Sequence, residues 1–246
     1  MKPSPWSLAA AFAAAGITLS PTPASAQAVA PDVADVPPTS PIDHREEMTR
    51  LELGYRGSFV PDPGFDPFSN NDFLPAFSMA VTRTVFAAGR LSFAAGVAWD
   101  NEGSTATIRG IDGGSLRMNR ITVPLEGRLH FGPWGYAFAR AAPGVAALET
   151  QVSDASAPAT LSKTQWLFAT DLSAGVAWLV WPRFERYRMT ARYWLQADGG
   201  YGFVAQGRLN LGPDLPSGST QRVDGVDLGT ISMNGGFFRL AAAISF

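Results

Sequence analysis

The residues able to do chemistry are few. The 246-residue chain has two histidines, no cysteine and nineteen basic residues, of which only Lys2 and Lys163 are lysine. His44 sits in a proline-rich stretch, so His130 is the histidine that a folded core would position. The carboxylate on its own face is Glu126, with Arg128 between them. On a strand, four residues span about 13 Å, beyond a direct hydrogen bond. His130 therefore reads as a polar side chain closing an interior rather than as half of an acid–base dyad. Without thiols there is no disulfide, no thiolate nucleophile and no amino-terminal lipoprotein anchor. Asn70-Asn71-Asp72 and Val223-Asp224-Gly225-Val226-Asp227 carry oxygen ligands suited to Ca²⁺, but turns favour the same residues. No catalytic residue, metal or cofactor is expected. A net charge of −2 gives no footprint for nucleic acid.

The remaining charges are patterned. Arg50, Glu52, Arg56, Asp100, Arg120, Glu126, Arg128, Asp171, Arg188, Arg192, Asp198 and Arg239 fall at alternate positions, with apolar residues prevailing between them. Period-two alternation is the signature of a strand with two different faces. The clearest case sets Ile121, Val123, Leu125, Leu129 and Phe131 against Arg120, Thr122, Pro124, Glu126, Arg128 and His130. Eight such segments are expected. They begin with Leu51 to Phe59 and Phe77 to Val85, then Leu91 to Trp99 and Ile121 to Phe131. Tyr136 to about Ala147, Trp166 to Trp178, Met189 to Leu195 and the tail Phe237 to Phe246 follow. The fifth is the weakest, because Arg140 and Pro143 interrupt its alternation.

Connections between these segments alternate long and short. Pro61 to Pro75, Asn101 to Met118, Gln151 to Lys163 and Gly202 to Asn234 are long and polar, whereas Ala87 to Arg90, Gly132 to Gly135 and Pro182 to Glu185 are tight. Such asymmetry is expected of a membrane barrel with short turns at one end and long loops at the other. The bulky apolar face then meets lipid. The small and charged face fills a lumen that, at eight strands, has room only for side chains. Charges there must pair, which suits the planar fork of arginine. Trp134, Tyr136, Trp178, Trp181, Tyr187 and Phe246 form one aromatic belt, and Trp99, Trp166 and Tyr201 the other. Arg208 to Leu211 and Val223 to Met233 continue the alternation and suggest a protruding hairpin, with a shorter extension at Thr105 to Ile108 and Ser115-Leu116. Exposed strand edges of this kind can pair with a protein partner.

Domain organisation follows. Residues 1–26 read as a secretory signal, with Lys2, an apolar Trp6 to Leu19 stretch and an Ala24-Ser25-Ala26 cleavage site. Residues 27–46 are a proline-rich lead-in, and 47–246 form an all-β, antiparallel, up-and-down transmembrane barrel.

The apolar tail ending on Phe246 resembles the closing strand of bacterial outer-membrane barrels. Strand count, loop asymmetry and belts together resemble the small eight-stranded OmpA/OmpX-like type. That resemblance implies an integral outer-membrane protein of a Gram-negative-type bacterium with both termini periplasmic. It also implies recognition of Phe246 by the barrel-assembly machinery, and contact with outer-membrane lipid and lipopolysaccharide, for which outward-facing Arg117 is the candidate. The role expected is structural or surface-interacting and not enzymatic, around a largely closed lumen. A narrow channel for ions or small solutes is the alternative. Some barrels of this size modify lipid A with histidine and serine near the external leaflet, but no histidine lies in an external segment here.

Overall fold

A computed structural model describes residues 49–69, 71–108, 111–153, 160–186, 189–213 and 224–246, without the side chains of 107, 108, 111, 112, 181–186, 189 and 190. The signal and lead-in segments, together with Tyr187 and Arg188, lie outside the described residues, as does the side chain of Trp181.

Eleven strand segments follow in order. β1 is Thr49–Phe59, β2 Phe73–Ala88, β3 Leu91–Ile108, β4 Ile111–Thr122, β5 Leu125–Gly132 and β6 Gly135–Ser153. β7 is Leu161–Arg186, β8 Met189–Val204, β9 Gly207–Pro213, β10 Val226–Ile231 and β11 Gly235–Ser245. Only Val123 and Pro124 separate β4 from β5. The two pair with β3 in one register (Ala98↔Thr122, Ala95↔Leu125) and with β6 in another (Thr122↔Gly144, Leu125↔Ala141). They are one stave, interrupted where Pro124 has no N–H to give. The staves run β1, β2, β3, β4/β5, β6, β7, β8, β11, each antiparallel to the next, and β11 returns to β1. At this seam the Thr49 N–H donates to the Phe246 carbonyl and the Phe246 N–H to that of Thr49. Ring closure leaves none of the eight staves with an open edge in the barrel wall. β9 and β10 form a hairpin beyond the ring, attached to the far end of β7 through Leu161↔Pro213.

Most staves outrun the 9–11 residues a bilayer needs, although β1 and β11 have 11 each. β3 has 18 residues, β6 19 and β7 26. The long excursion from Asn101 to Met118 is a hairpin, with Ile108 opposite Ile111, and it includes the extension read at Thr105 to Ile108 and Ser115-Leu116. At the other end the β2–β3 turn is only Gly89 and Arg90, and Gly89 takes φ +59 as a two-residue hairpin turn requires.

Alternation sorts the two faces. Leu53, Val97, Leu125, Leu129, Leu172, Leu195 and Leu240 stand exposed on the outside, at 46 to 62 % of their full surface. Such a wall is costly in water and suits hydrocarbon. Two aromatic groups bound it. Phe131, Trp134 and Trp178 pack at 5.0 to 5.9 Å near the turns. Phe59, Phe73, Tyr55 and Phe238 pack at 5.4 to 6.4 Å near the loops. One belt assignment is corrected: Tyr136 points into the lumen and is fully buried. In β6 the outward positions are Ala137, Ala139, Ala141 and Pro143, while Tyr136, Phe138 and Arg140 point inward. Arg140 and Pro143 break nothing. β6 runs against β7 without a register shift from Gly135 to Val152, and Glu126 pairs with Arg140.

Candidate functional site

The interior is the chemically distinctive part of the molecule, and it is filled in three layers. Nearest the loops is an apolar cap. The segment joining β1 to β2, read from sequence as a polar loop, folds back into the mouth. It opens on an Asx turn, with the Gly64 N–H donating to Asp62 Oδ1 at 2.8 Å. It then makes a short 3-10 turn at Asp66–Phe68, and the Val60 N–H closes its base on the Asp72 carbonyl at 2.8 Å. Phe65 and Phe68 are thereby driven to zero exposure against Leu74, Leu116, Met118, Leu148, Val204, Leu209, Ile231 and Met233. Gly114 permits the fit, since a Cβ there would lie 2.3 Å from the Pro67 carbonyl oxygen.

Below the cap lies a belt of charge. Among the described residues, six arginines (Arg50, Arg56, Arg120, Arg128, Arg140, Arg239) and six carboxylates (Glu52, Asp100, Glu102, Glu126, Asp171, Asp198) are at most 6 % exposed. In the upper group Asp171 is the hub. It takes a two-pronged contact from Arg56, whose Nη2 lies 3.2 Å from Oδ1, and a 2.7 Å bond from Arg120 Nη1. Arg120 Nη2 also donates to Glu102 at 2.8 Å. Arg56 Nε donates to Ser58 at 3.0 Å, and its guanidinium lies 3.8 Å from the centre of the Phe237 ring. Asp100 is held loosely, 3.8 Å from Arg56. Gly202 makes room, because a Cβ there would sit 2.9 Å from both Arg56 Nη2 and Asp171 Oδ1.

In the lower group Glu126 receives Arg128 Nε at 2.6 Å and Arg140 Nε at 2.7 Å, and Arg140 Nη2 reaches Glu52 at 3.1 Å. Arg50 Nη2 donates to Gln196 at 2.7 Å. Asp198 binds Arg239 through both oxygens, at 3.0 and 2.7 Å. Arg239 also lies directly opposite Arg56 across the β1–β11 seam. Arg192 shares this luminal face at the turn end and is half-buried.

An aromatic floor completes the stack. Tyr136 packs on Trp194 at 5.5 Å and on Phe138 at 6.2 Å, while Trp194 Nε1 donates to Ser245 at 3.0 Å. The guanidinium carbons of Arg50 and Arg128 lie 5.5 and 5.1 Å from the Tyr136 ring centre. His130 is here too, fully buried, 2.8 Å from Ser92 Oγ. This histidine–serine contact was not read from the sequence, because the two lie on neighbouring staves. Glu126, the carboxylate weighed for His130, spends its oxygens on Arg128 and Arg140. Ser92 and His130 are both buried.

Glu102 and Arg140 belong to the charged belt, though neither stood out in the sequence. Glu102 lay in a segment read as loop, and Arg140 was read as an interruption of the β6 alternation. Outside the lumen, Arg117 faces outward near the loops, with Glu149 as its register partner on β6. Phe246 is about half exposed beside the seam. Among the described residues no group of three or more His, Asp or Glu side chains is placed to hold a metal ion.

Fold and filling together define a membrane-spanning eight-stranded β-barrel with a packed, charge-paired interior. No family model matches the chain, and no curated protein sequence does so. Among solved structures it is similar to Ail, the attachment invasion locus protein of Yersinia pestis, in complex with the heparin analogue sucrose octasulfate. That match has 12 % identity and a TM-score of 0.46, covering 82 % of this chain and 99 % of that one. It is similar also to the outer membrane protease OmpT of Escherichia coli, at 12 % identity and a TM-score of 0.45, covering 70 % of this chain and 63 % of that one. The translocator domain of the autotransporter NalP from Neisseria meningitidis follows at 9 % identity and a TM-score of 0.36, covering 83 % and 91 %. Likeness at this level says nothing of what the chain does.

Proposed function

We propose that the protein is an integral outer-membrane barrel without enzymatic activity. Its lumen is closed, and it acts as a structural element and as a surface for contacts made by its loop-end hairpins. Both chain termini then lie on the periplasmic side, Phe246 serves as the assembly signal, and Arg117 meets lipopolysaccharide phosphate.

The observation that carries this reading is the triple filling of the lumen. An apolar cap, a belt of six arginines against six carboxylates and an aromatic floor are stacked in a barrel of eight staves. An eight-stranded ring has an interior only as wide as its side chains, and here those side chains are already engaged with one another. What remains available for contact is the far end. There the β9–β10 hairpin turns one face, with Leu209 and Ile231, onto the cap and leaves Val226 and Leu228 exposed on the other, with Arg208 bound to Asp227 at 2.7 Å.

The test is single-channel conductance of the refolded protein in a planar bilayer, with insertion verified independently. Silence is expected. Discrete, reproducible steps would overturn the closed-lumen reading and make the charged belt the selectivity element of a narrow channel.

A further inference from the structure

The segment that caps the mouth is bound to itself by hydrogen bonds and to the ring by apolar packing. Among the described residues its backbone hydrogen bonds run within 60–72. The Phe65 N–H donates to the Asp62 carbonyl and the Phe68 N–H to that of Phe65, each at 2.8 Å, and Val60 joins the two ends through Asp72. The backbone-to-side-chain bonds are internal too, Gly64 on Asp62 and Asn71 on Ser69. Pro61, Pro63 and Pro67 fix further torsions. A short loop with joined ends and its own bonds is a self-contained unit, and lifting it off the ring breaks none of these bonds. Asp72, on which it would turn, holds φ +51, a left-handed backbone that aspartate tolerates but does not favour.

Beneath the cap is a well with two kinds of wall. Its sides are apolar, formed by Leu116, Met118, Leu148, Leu209 and Ile231. Its base is the top of the charged belt, because Glu102 stands opposite Met118 across β3 and β4. The charges there do not balance. Three carboxylates, Asp100, Glu102 and Asp171, share two guanidiniums, Arg56 and Arg120. Among the described residues Asp100 Oδ1 and Glu102 Oε2 are buried and have no hydrogen-bond partner. A carboxylate oxygen without a donor in a dry interior is costly. A donor carrying one positive charge would meet both deficits.

We propose that this well is a binding site for a small aromatic amine, which enters when the cap lifts and takes the place of Phe65 and Phe68. The two phenyl rings show what the sides accept, a flat apolar body. The surplus carboxylate shows what the base accepts, a cation with N–H donors. The lower charged group and the aromatic floor stay packed beneath the ligand, so the site goes beyond the closed-lumen reading without making a channel. Cap and ligand compete, and the apparent affinity is the intrinsic one reduced by the fraction of chains whose cap is lifted.

The full chain, refolded into lipid nanodiscs, is titrated calorimetrically with phenethylamine and, separately, with its neutral analogue phenethyl alcohol, and empty nanodiscs give the background. The amine is expected to bind about tenfold more tightly than the alcohol, the size of one charge-assisted contact. Glu102→Gln abolishes that preference and leaves binding of the alcohol unchanged. Gly114→Ala, whose Cβ would lie 2.3 Å from the Pro67 carbonyl oxygen, lifts the cap and tightens both probes. The heat-dependent gel shift checks that each variant is folded. If Glu102→Gln does not fold, the difference between amine and alcohol in the parent and in Gly114→Ala decides. Equal binding of the two probes, affinities that Gly114→Ala leaves unchanged, or heats no larger than those of empty nanodiscs would each overturn the site.

Discussion

The cap and the charged belt occupy the same lumen, equally dry, and are held by opposite physics. The cap is apolar, and its close fit depends on glycines. Phe65 and Phe68 gain by leaving water, and Gly64 and Gly114 let backbone approach backbone, with Cβ positions 2.6 Å from the Thr230 carbonyl oxygen and 2.3 Å from that of Pro67. The belt gains almost nothing from burial. Each ion loses its hydration, and pairing recovers that cost only if both partners are present. An apolar layer can therefore lose one side chain and collapse around the gap, whereas a charged layer that loses one carboxylate is left with buried positive charge. The two layers should fail in different ways.

The largest effect is expected from Asp171→Ala, which strips the hub from both Arg56 and Arg120. About 4–5 kcal/mol of stability is lost, read as a fall in the denaturant midpoint of the refolded barrel in micelles. A loss below about 1 kcal/mol would mean that water enters the belt and screens its charges. Phe68→Ala follows at about 3 kcal/mol, toward the low end for a buried phenylalanine because a mouth can close up. Conductance sharpens the contrast. Neither variant alone conducts, since the other layer still blocks the lumen, while Asp171→Ala combined with Phe65→Ala and Phe68→Ala does. Gly202→Ala comes next at about 1–3 kcal/mol, the cost of forcing a methyl group between Arg56 and Asp171. Partial recovery in the Gly202→Ala, Asp171→Asn double variant, measured as a non-additive loss, would tie the effect to that contact.

The smallest effect belongs to the exposed hairpin. Arg208, by hydrogen bond and by charge, holds the Asp227 carboxyl below the usual aspartate range, with help from the Gly229 N–H. A carboxyl whose value is lowered on folding stabilises the folded form above the unfolded value, near 3.9, and loses that contribution as pH falls through the lowered one. Amide exchange in β9 and β10 should therefore quicken only below about pH 4, with the ring unaffected. Quickening near neutrality would point to another group.

How much of this was readable in the sequence depended on contrast between the two faces. β1 and the β4/β5 stave carry large apolar residues against charge, so parity alone placed Arg50, Glu52, Arg56, Arg120, Glu126 and Arg128 together. β6 offers alanine, glycine and proline outside and Tyr136 and Phe138 inside, which inverts the usual contrast. That inversion is why Tyr136 was assigned to a belt and Arg140 was taken to interrupt the alternation. Phe65 and Phe68 were illegible for a different reason. They lie on no regular element, and their burial is decided by distant glycines and by side chains of β4, β6 and β9. Pairings such as Asp171 with Arg56, 115 residues apart, appear only once the ring has closed.

The seam carries a consequence for how the ring comes together. Arg56 on the first stave and Arg239 on the last are direct partners across it, and like charges facing each other resist strand pairing. Their counter-charges come from elsewhere, Asp171 on β7 and Asp198 on β8. The two ends of the ribbon thus meet with both arginines matched by carboxylates that neither end strand supplies, Asp100 and Glu102 on β3 adding to those of β7 and β8. The joint is locked from the inside.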